Sequence, residues 1–156
     1  MEDKLFLDDI DVGFKYYAND KYEMKKDEMI EFAEKYDPQH FHINEEIAGD
    51  SFFKGLAASG WFTNMVMFRR AITDHPFGFD FVGADASVTW PAIVYPGDVL
   101  SFDYEVTEII MSKYRPGQGR FRVLSSAYNQ DGKVVCQMTA TVLGQTRAYF
   151  ESQLDK

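Results

Sequence analysis

The run from Gly55 to Thr73, GLAASGWFTNMVMFRRAIT, is apolar nearly all the way round a helical wheel as far as Phe68. A helix without a polar face is buried on most sides, so another layer of structure has to cover it. The chain supplies that layer beyond about residue 80, where the apolar period falls to two. In VLSFDYEVTEI, Leu100, Phe102, Tyr104 and Val106 point one way; Ser101, Asp103, Glu105 and Thr107 point the other. GRFRVLSSAYNQ and KVVCQMTATVLGQTR have the same character, and NQDG between them is a hairpin turn. YPGD, Tyr95 to Asp98, is a second turn, and VGADASVTWPAIV reads as a strand ended or bulged at Trp90-Pro91. The expected fold class is α+β, an antiparallel sheet packed against one long buried helix. Gly60 falls inside that helix, where glycine costs about 1 kcal/mol relative to alanine. Close approach of a backbone or a ligand is the expected compensation.

Upstream, KKDEMIEFAEKYD places Met29, Phe32, Ala33 and Tyr36 on one helical face. Asp37-Pro38 ends that helix, because a proline disfavours helical geometry in the residue before it. The stretch that follows, EKYDPQHFHIN, holds two of the chain's three histidines as H-x-H, with an aspartate five residues before the second. Three readings fit: a metal site, an acid–base pair, or an ordinary helix-ending loop. No repeat, linker or low-complexity segment interrupts the 156 residues, so a single domain over 1–156 is expected. A formal net charge of −9 disfavours general affinity for nucleic acid or an anionic membrane. One cysteine, Cys136, precludes an internal disulfide and fits a cytoplasmic location. The acidic N-terminus has no apolar core of a signal peptide, and no apolar run approaches the roughly 20 residues that span a bilayer.

A helix inside a curved antiparallel sheet suggests a hotdog fold. YDPQHFHIN, FFKGLAASGW, WPAIVYPGDVLSF and NQDGKVVCQMTATVL together resemble the MaoC-like dehydratase family, which includes (R)-specific enoyl-CoA hydratases. The resemblance covers roughly Leu5 to Arg147. The family's motif is Asp-x-Asn-Pro-x-His; here it reads Asp37-Pro38-Gln39-His40-Phe41-His42, with the Asp-to-His spacing kept and Gln39-His40 in place of Asn-Pro. The resemblance implies Asp37 and His42 as the catalytic pair and the N–H of Gly60 as the donor to the thioester oxygen. It implies reversible hydration of a 2-enoyl thioester, with an acyl-CoA as substrate and an (R)-3-hydroxyacyl product. It also implies at least a homodimer, since one hotdog unit leaves its sheet edge and substrate tunnel incomplete. The chemistry fits these residues. A water held over C3 by an aspartate and a histidine loses a proton to one, and the other supplies the proton for C2. Asp37 is assigned as base and His42 as acid. Developing charge on the thioester oxygen needs a donor aimed at it. No metal or organic cofactor is required.

Each residue also has a plainer reading. Asp37 can be a polar helix end, His42 a hydrogen-bonded core histidine, His40 a surface residue, and Gly60 a site of tight helix packing. Asp37, His40 and His42 form a possible metal ligand set only if they converge. The aromatic and Met-rich run Trp61–Phe68 reads first as core, Cys136 as an inert core thiol, and Arg69, Arg70, Lys113 and Arg115 as solvated charges rather than phosphate ligands. Two other functions stay open. A hotdog thioesterase would use a carboxylate on the central helix, and Leu56 to Ala71 contains none. A non-catalytic acyl-binding protein would tolerate the Gln39-His40 departure.

Overall fold

The computed structural model describes residues 4–154; Met1, Glu2, Asp3, Asp155 and Lys156, the extremes of the expected domain, lie outside the described residues. In chain order the elements are β1 (Lys15–Tyr17), β2 (Tyr22–Glu23), α1 (Lys26–Tyr36), α2 (His40–Ile43), α3 (Glu45–Asp50) and α4 (Gly60–Asp74). There follow β3 (Val82–Thr89), β4 (Val99–Met111), β5 (Gln118–Tyr128), β6 (Val134–Gln145) and α5 (Arg147–Leu154). The strands form one antiparallel sheet in the order β1-β4-β5-β6-β3, with β2 also on β4. This is the α+β hotdog arrangement that the alternating strands and the apolar helix call for.

The alternation in β4 decides which side is core. Leu100, Phe102, Tyr104 and Val106 are buried and pack among Met67, Phe121 and Val123. A bulge between Val106 and Glu108 shifts the register, so Ile109 resumes the inward side. The hydroxyl of Tyr104 donates to the carbonyl of Met67 in α4 at 2.9 Å, tying helix to sheet. Both turns lie where the sequence puts them. Gly97 and Gly132 take φ of +89° and +74°, a region closed to most side chains. The Asn129 side chain accepts from the N–H groups of Asp131 and Lys133.

Three expectations are corrected. The helix begins at Gly60, not Gly55. Residues 55–59 lie outside the helix, and the N–H groups of Ala57 and Ala58 donate to the carbonyls of Phe41 and Val94. Their apolar side chains reflect burial rather than helical period, which a short run cannot separate. Gly60 is therefore the first helical residue, where the interior glycine penalty does not apply. Second, α4 is not covered all round. Thr63, Asn64, Val66, Met67 and Ala71 are buried, but Trp61, Met65, Phe68 and Ile72, at i, i+4, i+7 and i+11, leave an exposed apolar stripe. One sheet covers one side of a helix. The neighbouring edge strand, β3, is exposed on both faces for nearly its whole length. Third, α1 buries Met29 and Ala33 as expected, but Tyr36 is exposed, its ring resting on Phe32.

Candidate active site

Helix α1 ends at Asp37, whose N–H still donates to Ala33 O while its own φ and ψ have left the helical region. The proline that follows enforces that exit. The chain then makes a single helical turn, α2, in which His42 N–H donates to Gln39 O at 2.9 Å. Residues two apart on a helix point about 200° away from each other. His42 is accordingly buried and His40 exposed. The H-x-H pair therefore does not converge, and the described residues contain no group of three His, Cys, Asp or Glu placed to hold a metal.

The imidazole of His42 is fixed from behind. Its Nδ1 lies 2.7 Å from Ala57 O. A carbonyl only accepts, so Nδ1 carries the hydrogen and Nε2 is left for chemistry. Nε2 stands 3.4 Å from Oδ2 of Asp37. That is long for a hydrogen bond and leaves both atoms able to share a third partner. Asp37 is held as firmly. Its Oδ2 accepts from Ser59 Oγ and its Oδ1 from Gln39 Nε2, each at 2.7 Å. Partial burial works to raise the carboxyl pKa. The bonds from Gln39 and Ser59, with the field of His42, outweigh it, and the group ends below the ordinary carboxylate value. Gln39, which departs from the family motif, thus gives Asp37 a donor.

Asp37, His42 and Gly60 line one cavity of about 570 Å³. Its walls are aromatic, from Phe41, Phe53, Trp61 and Trp90, with Thr63 of α4 and Lys133 of the β5–β6 turn. Gly60 opens α4. The first bond of that helix to the residue four back runs from Thr63 N–H to Ser59 O, so the N–H of Gly60 has no intrahelical acceptor. The positive end of the helix dipole adds to that donor. The glycine has a second reason. An ideal Cβ there would sit 2.8 Å from the Trp90 indole, and Trp90 Nε1 donates to Gly60 O at 2.7 Å. Helix start and tight packing coincide at one residue.

Sequence reasoning did not reach Ser59, the Ala57 carbonyl or Trp90. The other flagged residues lie elsewhere. Cys136 is buried, its thiol pushed up to about 12 by desolvation. Phe68 is on the outer stripe, and Arg70 faces Asp20. Lys113 and Arg115 line a larger cavity, about 820 Å³, at the opposite end of β6. That cavity holds neither a histidine nor a buried carboxylate, so volume is a poorer guide here than chemistry.

An antiparallel sheet laid over a central helix defines a hotdog-fold protein, and in it an aspartate and a histidine meet beside the segment that leads into the helix. The MaoC-like domain model matches residues 10–128, and the chain belongs to the MaoC-like dehydratase family. It is 30% identical over 140 residues to the uncharacterized protein YdeM of Bacillus subtilis, covering 88% of this chain and 96% of that one. The structure resembles a MaoC-like dehydratase from Rhodospirillum rubrum at 37% identity and TM-score 0.88, over 92% of this chain and 98% of that one. It also resembles the R-hydratase PhaJ1 of Pseudomonas aeruginosa at 20% identity and TM-score 0.72, over 92% and 88% respectively.

Proposed function

We propose that the protein adds water reversibly to a 2-enoyl thioester of CoA, giving the (R)-3-hydroxyacyl thioester. The observation that carries this reading is the meeting of Asp37, His42 and Gly60 in one cavity. Water sits between Asp37 Oδ2 and His42 Nε2. Nε2 takes one proton, the oxygen attacks C3, and the C2–C3 electron pair moves onto the thioester oxygen, where the Gly60 N–H meets the charge. The imidazolium then returns the proton from Nε2 to C2. Asp37 accepts a hydrogen bond from the second O–H of the water, whose hydrogen stays on the product hydroxyl, and the carboxylate stabilises the imidazolium. This exchanges the roles of base and acid expected for Asp37 and His42 from the sequence. A carboxylate held below its ordinary pKa by Ser59 and Gln39 is a weak base, and the bare nitrogen of a ring donating through Nδ1 is a better one.

The active unit is a homodimer in this reading. The stripe Trp61–Met65–Phe68–Ile72 and the unpaired side of β3 lie together and suit a second copy related by a two-fold axis, which pairs identical edges antiparallel. The CoA thioester accounts for the presence of a lysine, Lys133, in the lining of the cavity.

The test is loss of enoyl absorbance with CoA thioesters of graded chain length, followed by chiral analysis of the product. Consumption with mainly (R) product is expected. No consumption at any chain length, mainly (S) product, or release of free CoA thiol in place of hydration refutes the reading.

A further inference from the structure

Two cavities share one wall. The catalytic cavity, about 570 Å³, and a second, about 430 Å³, are both lined by Trp61 and Trp90. The second runs along α4 and β3 and is apolar, with Met65, Phe68, Val88 and Met138 on its sides. The two indoles meet edge to face, centroids 5.0 Å apart at 76°. Trp90 is pinned by its bond to Gly60 O and by van der Waals closeness to Gly60 itself. Trp61 follows Gly60 directly on α4.

We propose that the Trp61–Trp90 pair is the acyl-length stop of the enzyme, restricting it to short-chain thioesters. This rests on the hydration reading above. A thioester whose oxygen meets the Gly60 N–H has its carbonyl within a residue of the wall. The polar carrier leaves by the side where Gln39 and Lys133 are exposed, and an apolar tail turns toward the helix. There it meets the indoles after a few carbons. Behind them lies an apolar groove of the right character for a longer tail, roofed in the homodimer by the second copy seated on the α4 stripe and β3, and the T-shaped contact closes it off from the catalytic cavity. Side chains that fill a pocket discriminate by one or two methylenes, typically by about 10- to 200-fold for each.

Wild type, Trp61→Ala and Met65→Ala are compared for kcat/KM on a C4 to C12 series of 2-enoyl-CoA. Melting temperature and solution size are recorded for each, and only folded variants that keep the wild-type size are compared. Wild type should fall about tenfold or more between C4 and C8. Trp61→Ala should merge the two cavities and raise the C8 to C4 ratio by at least about tenfold. Met65→Ala, which enlarges only the groove behind the wall, should leave that ratio where it was. If Trp61→Ala misfolds, Trp61→Leu keeps the apolar stripe while removing the indole, and should raise the ratio in the same direction. Comparable wild-type turnover of C4 and C10 overturns the proposal, as does an unchanged ratio in folded Trp61 variants. A Met65→Ala shift as large as that of Trp61→Ala overturns it too, because the tail would then already reach the groove. Wild-type inactivity on every chain length is a different failure. It removes the hydration reading and the length stop falls with it.

Discussion

Gly60→Ala tests the point where helix start, the N–H proposed as oxyanion donor and aromatic packing coincide. In a helix interior the change would stabilise by about 1 kcal/mol. At the first helical position much of that gain is absent, and the new methyl lands 2.8 Å from the Trp90 ring, closer than real Cβ atoms come. Trp90 is half-exposed and can swing outward, but it then loses its bond to Gly60 O and its contact with Trp61. The bond is worth about 0.5–1.5 kcal/mol, and the aromatic contact a similar 0.5–1.5 kcal/mol or so. Set against a small propensity gain, the net cost is about 1–2 kcal/mol, or a melting temperature lower by roughly 2–8 °C for a domain of this size. Trp61 and Trp90 are the only tryptophans, so intrinsic fluorescence reports the displacement directly as a red shift. Turnover per folded molecule should fall about 10- to 1000-fold, as for other disturbed oxyanion donors. Adding Trp90→Ala makes room for the methyl. In that background Gly60→Ala should cost no further stability, and any remaining loss of turnover belongs to crowding at the thioester oxygen. Unchanged melting temperature and emission in the single variant would refute the packing argument. Normal turnover per folded molecule would end the oxyanion assignment.

Asp37→Asn and His42→Ala should each lower turnover by about 10² or more with the fold retained; near-wild-type rates in either, checked alongside circular dichroism, would remove that residue from the mechanism. Ser59→Ala deletes a donor to Asp37 and should cost about 1.5 kcal/mol near neutral pH, the low end for a bond to a charged group because Asp37 opens on a cavity. The Asp37 carboxyl is depressed in the folded protein, so it adds stability above the unfolded carboxylate pKa and loses it as pH falls through the folded value. The variant raises that folded value. The gap in melting temperature between the two proteins should therefore be widest at neutral pH and close on acidification; a gap independent of pH would mean that Ser59 acts by packing alone. Phe68→Asp places a charge in the centre of the exposed apolar stripe, and sedimentation should show a dimer become a monomer; an unchanged mass would move the interface elsewhere.

The sequence made some of this legible and hid the rest for definable reasons. The long strands could be read because burial of one face writes a period of two into β4, β5 and β6. Strands β1 and β2 have three and two residues, and only their pairing to β4 defines them, so no local period could reveal them. Residues 55–59 misled because burial of a non-helical segment and burial of a helix use the same apolar residues. In the site, Asp37 and His42 were visible through spacing. Ser59 and Trp90 were not, since they reach their partners across 22 and 30 residues. The Ala57 carbonyl could not be, because a backbone acceptor leaves no trace in side-chain identity.

The short segment that leads into α4 serves the site three times. Ala57 gives the carbonyl that sets the His42 tautomer, Ser59 the hydroxyl that holds Asp37, and Gly60 the free N–H. Four consecutive residues carry all three, and two of the groups are backbone. The site therefore behaves as one cooperative unit. If this segment detaches, tautomer, carboxylate position and the proposed oxyanion donor vanish together. Heat inactivation should then follow the local opening free energy of residues 57–60, and activity should decline below the temperature at which the sheet melts. Changes at the segment's ends that slow its opening are thus a route to a longer-lived active site without any gain in global stability.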